Sequence, residues 1–175
     1  MYNLRADPFT AAVSEFGIDT EGGDRAKTQL LREPMRLVWT LPDGRQIHSS
    51  DLEAKRRLAA GRVEFTCAPL PDLAAHWSVW LAGDTLRMRF ALDGNAPERI
   101  AKTELYLPFD PRAMGTTILA ERWGKEGAVE APLIISALDM GQLRLSGAGP
   151  DERLACRFTG SRLHKQIDLR VELLA

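Results

Sequence analysis

The sequence predicts an all-β chain, a two-sheet antiparallel β-sandwich with at most one short helix. Apolar and polar residues alternate with period two in run after run, the mark of strands with one dry and one wet face. Turn formers separate most of these runs at short intervals. No regular helices are predicted between the runs, which argues against a parallel α/β fold. One-sided sheets bury their dry faces against each other, so a sandwich is the natural architecture and a closed barrel the alternative. No fixed-period repeat is evident, which argues against a propeller or a β-helix.

In chain order, residues 1–33 form a polar, partly irregular N-terminal segment, broken at Gly22-Gly23-Asp24, and 34–175 form the sandwich domain. Met35, Leu37, Trp39 and Leu41 alternate with Arg36, Val38 and Thr40. Pro42-Asp43-Gly44 then reads as a turn into a return strand at Arg45–Ser49. Ser50-Asp51-Leu52-Glu53 matches a capping box and Gly61 a helix stop, which predicts a short helix over 51–60, with a loop into the next strand as the rival reading. Val63, Phe65 and Cys67 open the next strand. Residues 76–82 and 85–92 flank Gly83-Asp84, the spacing of a tight hairpin. Runs at TELYLPF, TTILAERW and PLIISAL follow, then Leu143/Leu145, Leu154/Cys156/Phe158 and Ile167/Leu169/Val171/Leu173. The total is about ten or eleven strands.

At 175 residues the chain is long enough to bury one core without staples. Its 23 basic and 24 acidic residues leave a net charge of −1, so no global field favours nucleic acid or an anionic membrane as a partner. No apolar run approaches the ~20 residues of a membrane span. The N-terminus lacks the pattern of a signal peptide, which favours the cytoplasm. Cys67 and Cys156 fit no metal motif and are read as free, buried packing residues, with one long-range bridge as the alternative.

Chemistry-bearing motifs are scarce. His48, His76 and His164 lie far apart, and HExxH, CxxC, GxSxG and dinucleotide or phosphate glycine patterns do not occur. No metal and no cofactor are therefore expected. Glu104, Asp110, Glu121, Glu130 and Asp139 supply carboxylates for a glycosidase-type pair only on paper; ordinary surface carboxylates explain them as well. Trp77 and Trp80 differ by three, so a strand turns them to opposite faces, one to the core and one outward. Trp39 shares the core face of Leu37 and Leu41. Trp123 adjoins the loop-like Gly124–Gly127. An exposed tryptophan can stack on the apolar face of a sugar ring; capping the sandwich or filling an interface is the plainer role. Arg87, Arg89, Arg144, Arg153, Arg157 and Arg170 recur on wet faces. A ladder of ion pairs with Glu64, Asp168 and Glu172 is the expectation, and an anion-binding groove the alternative.

Between Leu107 and Gln142, Pro108 and Pro111 bracket Phe109-Asp110, Gly115 precedes Thr116-Thr117, and Pro132 leads into Ile134-Ile135-Ser136-Ala137 before Asp139-Met140-Gly141-Gln142. With Trp123, this segment of about 36 residues resembles the N-terminal β-sandwich region of bacterial six-hairpin glycosidase-type proteins, in which a β-supersandwich precedes an (α/α)6 toroid. The resemblance implies a detached or truncated domain of a carbohydrate-active protein that is not catalytic alone. In that family the catalytic carboxylates lie mainly in the toroid, and no catalytic residue carries over to this chain. The implied partners are carbohydrate and an (α/α)6 domain of the same polypeptide, or a second copy. Trp123, Asp110, Asp139 and Trp80 are the ligand-binding candidates. The docking role predicts an exposed apolar patch. The alternatives are a stand-alone carbohydrate-binding module, and a small sandwich enzyme with a histidine–carboxylate pair.

Overall fold

The alternating runs fold as antiparallel strands whose apolar positions meet in one core. A computed structural model describes residues 2–6, 9–14, 17–22, 28–29, 31–82, 85–95, 97–110, 127–130, 133–137, 141–145, 155–161 and 166–173. In the N-terminal segment β1 (Tyr2–Ala6), β2 (Phe9–Ser14), β3 (Gly17–Gly22) and β4 (Thr28–Gln29) pair in chain order as a four-stranded meander. Next come β5 (Arg36–Thr40), β6 (Gln46–His48), a single 3-10 turn at Ser49–Asp51, β7 (Lys55–Ala59), β8 (Arg62–Leu70), β9 (Leu73–Ala82) and β10 (Thr85–Gly94). A second 3-10 turn at Pro97–Arg99 leads into β11 (Lys102–Phe109). Then follow β12 (Gly127–Glu130), β13 (Leu133–Ala137), β14 (Gly141–Leu145), β15 (Ala155–Ser161) and β16 (Gln166–Glu172).

Two sheets build the sandwich. One has the order β10-β9-β8-β7, the other β12-β15-β16-β11-β5-β6, while β13 and β14 pair as a separate hairpin. The core draws on both: Val63, Phe65, Cys67, Ala75, Trp77 and Val79 from the four-stranded sheet, and Leu37, Trp39, Leu105, Leu107, Phe109, Leu169 and Val171 from the six-stranded one. Trp39 is fully buried, and Trp77 stacks on Phe65 with ring centroids 5.4 Å apart. Burying each such large side chain contributes roughly 1.5–3 kcal/mol. Leu31 joins this core and bridges to Phe109, with the Arg32 amide donating to the Pro108 carbonyl at 2.8 Å, so the sandwich begins ahead of residue 34.

The predicted hairpin at 35–49 forms, with Thr40 opposite Gln46 and a turn closed by the Leu41 and Gly44 amides. The hairpin over Gly83-Asp84 also forms, with Ala82 opposite Thr85. The short helix over 51–60 does not. Only Ser49–Asp51 makes a helical turn, and Lys55–Ala59 becomes β7, paired with β8 in a register that sets Ala59 opposite Arg62. The physical reason is the connection: Ala60 and Gly61 both take positive φ, 48° and 74°, and so form the two-residue turn that folds β7 back along β8. Gly94 has a different role. A side chain there would meet the Asp72 carbonyl oxygen at 2.3 Å, so the turn between β8 and β9 needs a bare backbone beside it. Among the described residues no helix is long and apolar enough to cross a membrane.

Candidate functional site

Strand pairing decides which wet-face residues become neighbours. On the outer face of the four-stranded sheet, β9 sits between β8 and β10, and its outward residues are His76, Ser78 and Trp80. Trp80 lies opposite Arg62 on β8 and Arg87 on β10. The next row reads Arg57, Glu64, Ser78 and Arg89 across all four strands, and the one after it Lys55, Thr66, His76 and Ala91. Neighbouring strands lie ~4.8 Å apart and like-facing residues ~6.8 Å apart along a strand. The face is therefore an open array of mostly polar groups and alanines with one indole in it.

Trp80 is half-buried and Trp77 is buried, the division that their spacing predicts. The Arg62 guanidinium lies 4.4 Å from the Trp80 ring centroid, which fixes the indole and covers one of its faces. Arg57 donates to Glu64 through Nε at 3.1 Å and through a terminal nitrogen at 2.7 Å. The His76 ring sits 3.3 Å from the Thr66 hydroxyl. Arg87 and Arg89 are exposed, and among the described residues neither makes an ion pair.

A second three-strand cluster, on the outer face of the six-stranded sheet, offers a comparison. Tyr106 lies opposite Arg36 on β5 and Arg170 on β16. Both guanidiniums flank its ring, at 4.6 and 5.5 Å from the centroid. Here every cation has an acidic partner. Arg36 pairs with Glu33 at 2.7 Å, and Arg32 with Asp168. Arg170 and Lys102 both hold Glu104, at 3.2 and 2.9 Å, and Lys102 also reaches Glu172 at 3.5 Å. Burial alone would push the Glu104 carboxyl up, but Lys102 and Arg170 outweigh it and hold the group below its ordinary value. Tyr106 is pushed up, by burial first and then by the Asp168 charge. The cluster is closed upon itself, with both faces of β11 buried.

Among the described residues the expected ladder does not form as paired: Asp168 goes to Arg32, Glu172 to Lys102 and Glu64 to Arg57, while Arg170 takes Glu104. Arg87 and Arg89 are left without an acidic partner among the described residues. Of the candidate residues, the two that are described do not lie together. Trp80 is on the four-stranded sheet, and Asp110 follows β11 of the other sheet and is buried. Trp123 and Asp139 lie outside the described residues, as do Glu121, His164 and the TTILAERW run. For Glu130, Arg144, Cys156 and Arg157 the strand backbone alone is described.

Among the described residues no histidine–carboxylate hydrogen bond forms. His48 receives a bond from Arg36 Nε at 3.3 Å, and burial, followed by the Arg36 charge, pushes its pKa down. No group of three His, Cys, Asp or Glu is placed among these residues to hold a metal ion. Cys67 is free and buried; its thiol is pushed up to about 11 by burial and lines a small apolar cavity with Leu37, Phe65 and Trp77. The exposed apolar patch expected for docking on a toroid has no counterpart among the described residues, where Leu58 is the large hydrophobic side chain on open display.

The sequence signal for the array was the alternation of Arg87 and Arg89 with Leu86, Met88 and Phe90. What it lacked was the register that brings Arg62 and Arg87 to either side of Trp80. Compared with known proteins, the chain matches no family model, no curated protein and no solved structure.

Proposed function

We propose that this chain is a non-catalytic β-sandwich domain of a carbohydrate-active protein, and that it binds carbohydrate on the outer face of its four-stranded sheet. The observation that carries this reading is the position of Trp80. A half-buried indole stands on the outer face of the sheet, held by Arg62 and opposite Arg87, with Glu64, Ser78 and Arg89 in the next row and Thr66 and His76 in the row beyond, ~13 Å along the strand. A pyranose has an apolar face of C–H bonds and an equatorial rim of hydroxyls. The indole suits the first, and Ser78, Thr66, His76 and the arginines suit the second. An open sheet face presents its contacts to an extended chain, where a closed pocket would take a single sugar. The family resemblance of the 107–142 segment points to the same class of ligand.

Calorimetric titration of the 175-residue chain against soluble oligosaccharides, neutral and acidic, tests the reading. Binding to at least one of them is expected, and Trp80→Ala should weaken it by about tenfold or more, the equivalent of ~1.4 kcal/mol. An unchanged affinity in that variant, with its unfolding midpoint preserved, would remove the site. A failure of the parent chain to bind any member would remove the function.

A further inference from the structure

The two aromatic clusters differ in one respect that bears on the ligand. Each sets an aromatic ring on a central strand between arginines of the two flanking strands: Arg36–Tyr106–Arg170 on one sheet, Arg62–Trp80–Arg87 on the other. Around Tyr106 the charges balance, with Arg32, Arg36, Lys102 and Arg170 set against Glu33, Glu104, Asp168 and Glu172. Around Trp80 they do not. Lys55, Arg57, Arg62, Arg87 and Arg89 share their face with Glu64 and Asp93 alone among the described strand residues. Glu64 is held by Arg57, and Asp93 sits two like-facing positions beyond Arg89, ~13 Å along the strand. In a chain whose net charge is −1, this is a local concentration of uncompensated cations around one aromatic ring.

We infer that the ligand of this face is an acidic glycan. The inference rests on the carbohydrate reading above and sharpens it to a substrate class. One sugar ring lies against the solvent-exposed part of the Trp80 indole, beside Arg62. Carboxylate or sulfate groups of that sugar and its neighbours pair with Arg87 and Arg89, and with the edge of Arg62. Guanidinium forks take such planar or tetrahedral oxyanions two oxygens at a time, and they retain their charge at every accessible pH. A single-stranded nucleic acid would satisfy the cations, but it gains its affinity from stacking several bases in succession. The described part of this face offers one indole and, ~13 Å along the strand, the smaller His76 imidazole, which do not make a run of successive platforms.

The test compares four probes on the whole chain by calorimetry. They are a uronic-acid hexasaccharide, a sulfated hexasaccharide, a neutral glucose hexasaccharide and a short oligothymidylate. At least one of the two acidic glycans should bind about tenfold or more tighter than the neutral one; which of them does identifies the acid. That advantage should fade from about 0.1 M to about 1 M salt, as the screening length falls from ~10 to ~3 Å. Arg87→Gln/Arg89→Gln, two changes on exposed side chains, should bring acidic affinity down to the neutral level with an unaltered urea midpoint. Arg99→Gln removes an exposed cation in the turn after β10, off this face, and should leave affinity unchanged. Equal affinity for acidic and neutral glycans overturns the acidic class while the carbohydrate reading stands. Binding to no hexasaccharide overturns both. Oligothymidylate binding at least as tightly as the better acidic glycan gives the face to nucleic acid. A loss in Arg99→Gln equal to that in the double variant shows a net-charge effect and removes the assignment to Arg87 and Arg89.

Discussion

Glu104 is 2% exposed, yet it carries a charge that two neighbours satisfy: Lys102 at one carboxylate oxygen and Arg170 at the other. Removing one member of such a cluster leaves the rest desolvated for nothing. Glu104→Gln keeps the shape and deletes the charge. Because Lys102 and Arg170 retain some solvent access, the expected loss is about 2 kcal/mol, below the ~3–5 kcal/mol that breaking a fully buried pair costs. The pH dependence follows from the direction of the shift. The folded carboxyl titrates below the unfolded one, so its stabilisation is complete above the ordinary carboxylate range and is lost as pH falls through the lower, folded value. Urea midpoints of parent and variant should therefore differ most near neutrality and converge in acid. A gap that stays constant down to the lowest pH would mean that the carboxylate charge contributes nothing. Glu104 also illustrates what a list of carboxylates conceals. In the sequence it stood among five candidates for chemistry; in the fold its oxygens are engaged by cations of its own sheet.

The β7–β8 hairpin shows a tertiary contact overriding a local preference. Lys55-Arg56-Arg57-Leu58-Ala59 is a run of good helix formers behind a capping-box pattern. As an isolated segment it would favour a helix. It becomes an edge strand because pairing with β8 satisfies its backbone, and because Arg57 reaches Glu64 across the ladder. The turn that makes this possible is suboptimal. Ala60 holds φ at 48°, a left-handed conformation that costs a residue with a Cβ about 1–2 kcal/mol. Asparagine tolerates that conformation and suits the first position of such a turn. Ala60→Asn should therefore raise unfolding stability by about 0.5–1 kcal/mol, read as a higher urea midpoint at constant slope. A lower midpoint would show that this turn does not hold the hairpin in the folded state. The element was hard to read because Ala-Gly is a weaker hairpin signal than Asn-Gly.

Across the whole molecule the sandwich stands or falls on the layer between its sheets, and Cys67 reports on that layer. Its thiol is buried beside Ala75 and Trp77, and its pKa of about 11 leaves little thiolate at neutral pH. In a Cys156→Ser background, a thiol reagent should label the unfolded chain quickly and the folded chain only as fast as the sheets separate. Labelling should accelerate with urea in step with the loss of tryptophan burial. Rapid labelling of the native protein at neutral pH would show that this edge of the core opens locally. The same layer explains why the fold class was legible from the chain. Leu37, Trp39, Val63, Phe65, Leu105, Leu107, Leu169 and Val171 all fall on the dry phase of an alternating run. A buried layer between two sheets is what such runs require.

The sequence alone determined the class of fold, the dry and wet phase of the main strands, and the opposed destinies of Trp77 and Trp80. These follow from the two-residue repeat of an extended chain, which is a local property. Only the tertiary structure decided which wet-face residues stand side by side. Neither the Arg36–Tyr106–Arg170 cluster nor the Arg62–Trp80–Arg87 cluster is contiguous in sequence. Each is assembled by the register of three separate strands. Whether an arginine is neutralised or left open to a ligand therefore rests on long-range pairing. Arg170 and Glu104 meet across the sheet though 66 residues apart along the chain, and the alternation that assigns each to a face is silent about its neighbour.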